Sequence, residues 1–146
     1  MAIISTATVR LGGQASSKQD AISQAGQLLV EDGRVAPPYV SGMLAREETM
    51  STYLGNGIAI PHGQHENRAD VLSAGISVLQ LPDGVEWEEG ERAYLVIGIA
   101  AAADEHLSIL ANLAEVIEDP DAAEELVHAT DPRQIVERLS RPRDEE

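Results

Sequence analysis

The run from Ala93 to Ala103, Ala-Tyr-Leu-Val-Ile-Gly-Ile-Ala-Ala-Ala-Ala, carries no charge and constrains the fold more than any other stretch of the chain. It is about half as long as a bilayer-spanning helix needs to be. From Ala93 to Ala101 it is apolar on both faces of an extended chain, which predicts a central strand covered by helices on each side. The flanking sequence supplies those layers. Ser17-Lys-Gln-Asp20 opens a helix with a capping hydroxyl and an acid near the positive end of the dipole. Ile22, Ala25, Leu28 and Leu29 follow at helical spacing, and Gly33 closes the element. Pro37-Pro38 starts a second helix with Val40, Met43 and Leu44 on one face, ending near Glu48.

The pattern then shortens to β-like pieces. Gly57-Ile-Ala-Ile-Pro61 predicts a brief strand, and Val71 to Leu81 is rich in β-branched and apolar residues. Pro82-Asp-Gly84 predicts a turn into Val85-Glu-Trp87, a half-buried or edge strand. Helices return with Asp104, which can cap a helix carrying Leu107, Leu110, Leu113, Ala114 and Ile117. Pro120-Asp121 and Asp131-Pro132 predict further helix starts. The expected class is α/β, a single-domain sandwich over residues 1–140 in which a mixed, mostly parallel sheet is flanked by helices on both faces. Residues 141–146 are expected to form a flexible acidic tail.

Composition narrows the function. Twenty-five acidic residues against ten basic ones leave a net charge of −15 in 146 residues, which opposes nucleic acid or an anionic membrane surface as partner. No cysteine is present, so thiolate ligands, disulfides and cysteine nucleophiles are excluded. The segment from Met1 to Arg10 has neither a basic leader nor a long apolar stretch, and a cytoplasmic domain is expected.

The chemistry concentrates in Gly55-Asn-Gly-Ile-Ala-Ile-Pro-His-Gly63. An apolar strand delivers His62 at its end, between a proline that fixes φ and a glycine that lets backbone or a phosphate approach closely. A surface-loop histidine with no role is the competing reading, but a rigid strand end that aims an exposed imidazole favours function. His106 would stand in the first turn of the Asp104 helix, at a strand-to-helix junction whose N–H groups suit an anion; a capping or solvated histidine is its alternative. Spacing alone makes Arg46 a cation complementing a helix C-terminus, although a phosphate site would also use its guanidinium. His65 with His62 hints at a metal site, but Glu66 is the only nearby carboxylate and zinc is disfavoured. His128 reads as a solvated residue of a polar helix, and Glu86-Trp-Glu-Glu-Gly-Glu91 as a solvated turn.

At these residues the chain resembles enzyme IIA of the sugar phosphotransferase system, mannitol/fructose type. Tyr53-Leu-Gly-Asn-Gly-Ile-Ala-Ile-Pro-His-Gly63 resembles the family's phosphorylation-site motif, with Arg46-Glu47 at the expected distance before it. Leu95-Val-Ile-Gly-Ile-Ala-Ala101 followed by Glu105-His-Leu107 resembles the mannitol branch in particular. The likeness spans nearly the whole chain and implies a free-standing IIA domain without attached IIB or IIC portions. It implies that His62 accepts a phosphoryl group on Nε2, that His106 stabilises that group, and that Arg46 neutralises its charge. The implied donor is the phosphocarrier HPr and the implied acceptor a cysteine of enzyme IIB, with no cofactor and no metal. Two rivals remain: a nitrogen-type regulatory enzyme IIA, which shares the Gly55–Gly63 segment, and a histidine-based metal-binding module built on His62, His65 and His106.

Overall fold

The structure is a computed structural model that describes residues 4–63, 65–100, 111, 113, 115, 116 and 118–140. Five strands form one sheet: β1 Val9–Arg10, β2 Tyr53–Gly55, β3 Ile58–Ala59, β4 Gly75–Glu88 and β5 Glu91–Ala100, in the order β1-β4-β5-β3-β2. Four α-helices are described: α1 Lys18–Glu31, α2 Pro38–Thr49, α3 Pro120–Val127 and α4 Pro132–Ser140. The expected mixed sheet is present, but it is not mostly parallel as expected, because the long β4–β5 ladder is antiparallel. Its β1–β4 and β3–β5 pairs are parallel, while β2–β3 and the long β4–β5 ladder are antiparallel.

The prediction of a doubly covered central strand holds for β5, whose residues from Leu95 to Ala100 are all buried. Its side chains alternate between two cores, as the pleat requires. Leu95, Ile97 and Ile99 face α3 and α4 together with Ile58, Ile76 and Val78, and the buried Leu113 and Val116 join that side. Val96 and Ala100 face the other core, where Ile22, Ala25 and Leu29 of α1 meet Tyr39 and Met43 of α2. The predicted Asp104 cap, with Leu107, Leu110, Ala114 and Ile117, lies outside the described residues, as does the tail 141–146.

Capping sets the helix starts where the sequence places them. The Ser17 hydroxyl accepts from Asp20 N at 3.1 Å while the Asp20 carboxylate accepts from Ser16 N at 2.9 Å. Asp119 accepts from Asp121 N, and Asp131 from Arg133 N, at the starts of α3 and α4. The buried Gln80 amide closes the C-terminal side of α3: its Nε2 donates to the carbonyls of Leu126 and Ala129, and its Oε1 accepts from Gly12 N. Orphan carbonyls at a helix end are thereby satisfied by a strand.

Three local expectations need correction. Pro82-Asp-Gly84 does not turn the chain, because β4 runs through it and pairs with β5 on both sides; the register shifts between Gln80 and Val85. Pro82 has no N–H to give a ladder and Gly84 takes φ +74°, so the segment bulges instead. Arg92 Nη2 satisfies the bulge carbonyls of Asp83 and Gly84, and the reversal comes later, at Glu89-Gly90. Second, the buried face of α2 centres on Tyr39, Gly42, Met43 and Glu47, leaving Val40 and Leu44 half-buried. Third, Val71 lies ahead of β4 and makes an isolated bridge with Val35.

Glu47 is the buried anion of this face. Its carboxylate accepts from Thr52 N at 3.2 Å, the Thr52 hydroxyl at 2.6 Å and Trp87 Nε1 at 3.0 Å, with the ammonium of Lys18 at 3.6 Å. One side chain thus joins α1, α2, the start of β2 and the far end of β4. Glu47→Ala strands several buried donors at once and is expected to lower unfolding free energy by about 2–4 kcal/mol, measured by urea denaturation. A loss below about 1 kcal/mol would show that the cluster does not support the fold.

Candidate active site at the ends of two parallel strands

β3 is only Ile58–Ala59, paired in parallel with Leu95 and Val96 of β5. The chain stays beside β5 as it leaves the sheet: Ile99 N donates to Pro61 O at 3.0 Å, and His62 makes a parallel bridge with Ile99. His62 therefore stands at the carboxyl end of β3, next to the carboxyl end of β5. Ligand sites of open α/β sheets gather at such ends. Ile60 N donates to Thr52 O, which ties the same segment back to the Glu47 cluster.

The imidazole is half-buried, where an exposed ring was expected, because it folds back on its own strand. Nδ1 lies 2.9 Å from Ile60 O. A carbonyl oxygen only accepts, so Nδ1 carries the proton and the lone pair resides on Nε2. The short loop thus sets the tautomer as well as the position of the ring.

Gly63 has a different role from the one expected of it. A Cβ there would lie 2.6 Å from Cε1 and 2.8 Å from Cζ of Tyr39, so the space belongs to a tyrosine ring of α2. The Tyr39 hydroxyl accepts from Gly63 N at 2.9 Å and donates to Ile99 O at 2.8 Å. Burial raises the Tyr39 phenol above its ordinary value, opposed by the bond from Gly63, and Tyr53 is shifted upward for the same first reason. Tyr39 was absent from the sequence reading. Its only signal there was an aromatic residue in the first turn of a helix in a chain with no Phe.

Arg46 occupies the last turn of α2, and its Nη1 donates to Met50 O at 2.7 Å. This is the helix-terminal placement that spacing alone favoured, directly beside the anchored Glu47. His106 lies outside the described residues, as do the side chains of His65 and Glu66. Among the described residues no group of three or more His, Asp or Glu side chains converges as for a metal ion. His128 is exposed and lies 3.7 Å from Glu124. A cleft of about 710 Å³ lined by Tyr53, Arg92, Tyr94 and His128 lies around Gly57, at the opposite ends of β3 and β5 from His62. No helix among the described residues is long and apolar enough to cross a membrane.

With this geometry in place, comparison with known proteins is decisive. The family described as phosphoenolpyruvate-dependent sugar phosphotransferase system, EIIA 2, matches residues 2–141. The chain belongs to this family. It is 43% identical over 136 residues to the mannitol-specific phosphotransferase enzyme IIA component of Bacillus subtilis, covering 93% of this chain and 95% of that protein. It is 50% identical over 127 residues to the multiphosphoryl transfer protein of Escherichia coli O157:H7, covering 87% of this chain but 34% of the relative. The chain therefore spans about a third of the length of that longer protein. Among solved structures it is similar to enzyme IIAMTL of Escherichia coli in its complex with phosphorylated enzyme IIBMTL, with a TM-score of 0.88 and 39% identity over 95% of this chain and 98% of that one. The EIIA type-2 family and its mixed sheet agree with the sequence reading.

The Tyr39 phenol generates a pH prediction. A native value above the unfolded value of about 10 means the stabilisation is complete below pH 10 and is lost as pH rises from there towards the native value. Denaturation midpoints followed between pH 8 and 11 are expected to fall most steeply above 10, and Tyr39→Phe is expected to flatten that fall. An equal slope in both proteins would contradict the assignment.

Proposed function

We propose that this EIIA domain is a cytoplasmic phosphoryl carrier for mannitol-type sugar uptake, loaded on His62 Nε2 by phospho-HPr and unloaded onto a cysteine of enzyme IIB. The observation that carries the reading is the Nδ1–Ile60 bond, which supports Nε2 as the nucleophilic nitrogen. In the loading step the Nε2 lone pair attacks phosphorus, the Nε2–P bond forms, and the N–P bond to the donor histidine breaks with its electron pair returning to that ring. Positive charge then spreads over the His62 ring, and Ile60 O accepts the more acidic Nδ1–H. In unloading, an incoming thiolate attacks phosphorus and the electron pair returns to Nε2. A phosphoryl group passing through a loose, in-line transition state needs placement and charge neutralisation above all.

Several features support the remaining assignments. The family resemblance carries phosphoryl stabilisation to His106 and charge neutralisation to Arg46. Met50, next to the Arg46 end of α2, is 66% exposed and offers an apolar contact for a protein partner. The absence of cysteine from the chain agrees with the thiol belonging to the acceptor. Identities of 42% and 43% to mannitol-specific IIA components, against 27% to a nitrogen regulatory IIA of Neisseria meningitidis, favour transport over the regulatory reading.

Incubation with phosphoenolpyruvate, enzyme I and HPr is expected to give an acid-labile, base-stable adduct, and His62→Gln is expected to abolish it. Labelling that survives this substitution would sink the proposal. His106→Ala is expected to slow transfer roughly 100- to 1,000-fold in rapid-quench measurements, the usual effect of removing one stabilising donor.

A further inference from the structure

The hydroxyl of Tyr39 sits where two strand ends and a helix meet. It lies 2.9 Å from the N–H of Gly63, the residue after His62, and 2.8 Å from the carbonyl of Ile99, the residue bridged to His62. The side chain is 3% exposed, and its ring fills the volume a Cβ at position 63 would need. Pro61 O is meanwhile held by Ile99 N at 3.0 Å. The backbone on both sides of His62 is thus fastened to the end of β5: directly before it, and through a phenol after it. The loop has no regular sheet ladder beyond Ala59, so these bonds replace the ladder that stops there.

We propose that Tyr39 is a positioning residue for phosphoryl transfer, acting through Gly63 to hold the His62 loop against β5 so that Nδ1 stays on Ile60 O and Nε2 keeps one direction. The proposal rests on His62 being the phosphoryl acceptor. Its physical content is that the hydroxyl, beyond the ring, carries the effect. The ring supplies core packing with Met43 and Ala100, which phenylalanine would retain. The hydroxyl alone spans Gly63 and Ile99. It also occupies the Gly63 N–H, so that this amide serves the loop and is already committed when a phosphate arrives. Because the phenol is buried and its hydroxyl is spent on Gly63 and Ile99, its loss is expected in the transfer step and not in partner recognition.

The test uses the full chain with Tyr39→Phe, and Gly63→Ala as an independent second variant whose added Cβ drives the phenol, ring and hydroxyl together, away from the loop. In the unphosphorylated parent, long-range ¹H–¹⁵N correlation spectra are expected to show the His62 imidazole as the single Nδ1–H tautomer. In both variants a mixture of tautomers is expected. Single-turnover transfer from phospho-HPr is expected to drop on the order of tenfold in maximal rate, with half-saturation by phospho-HPr unchanged. A parent-like rate and a parent-like tautomer in folded Tyr39→Phe would overturn the proposal. So would parent behaviour in Gly63→Ala, which decides the matter should Tyr39→Phe prove unstable. A rise in half-saturation concentration alone would also overturn it, because the residue would then act in docking. The tautomer readout needs no phosphorylation, and labelling of the parent at His62 is scored separately. Failure of the carrier reading is therefore distinguishable from failure of the strut.

Discussion

Both backbone polar groups of Ile99 are committed to the loop that carries His62, and the site depends on that commitment. The N–H holds Pro61, and the carbonyl holds the Tyr39 hydroxyl, which in turn holds Gly63. Ile99 can serve as this anchor because β5 is the central strand of the sheet. It lies between β4 and β3 in the sheet and is buried on both faces. Hydrogen bonds made in such a place are shielded from water, and leaving their groups unpaired would be costly. An aliphatic strand thus becomes a rigid support for the His62 imidazole without contributing a polar side chain of its own.

The two helical layers divide the remaining work. α3 and α4 close one core, and Gln80 ties the end of α3 to the sheet with a buried amide. On the other face α2 reaches the site at both of its ends. Tyr39, in its first turn, supports the residue after His62. Glu47, in its last turn, fixes the start of β2, whose Thr52 carbonyl accepts from Ile60 N, while the adjacent Arg46 lies along the helix C-terminus. Among the described residues, the acidic patch of the β4–β5 hairpin has no such part. Glu86, Glu88, Glu89 and Glu91 are exposed around the β4–β5 hairpin, and β5 separates them along its whole length from Ile99 and His62.

How much could be read in advance follows from the range of the interactions involved. Helix starts at Ser17, Asp119 and Asp131 depend on a side chain and an amide two or three residues apart, so sequence alone carries them. The central strand was legible because double burial leaves a continuous apolar run. Pro82-Asp-Gly84 misled, since the same residues that favour a turn also favour a bulge, and pairing with β5 on both sides decides between them. β1 and β2, of two and three residues, are too short for any period to appear. Tyr39 and Glu47 act across 24 and 40 residues of chain, to Gly63 and Trp87 respectively. No local pattern marks a residue whose partner is that far away.

By itself, then, the sequence determined the layered class of the fold, the strand that must be central, and the segment Gly55–Gly63 that ends in His62. These follow from hydrophobic periodicity and from backbone restrictions at proline and glycine, which are properties of neighbouring residues. Only the tertiary structure decided which nitrogen of His62 holds its proton, what fills the space beside Gly63, and that a buried tyrosine and a buried glutamate brace the site. Those outcomes depend on which distant groups meet once the sheet is ordered β1-β4-β5-β3-β2. A hydrogen bond is specified by a few tenths of an ångström between groups, and packing supplies that precision where spacing along the chain does not.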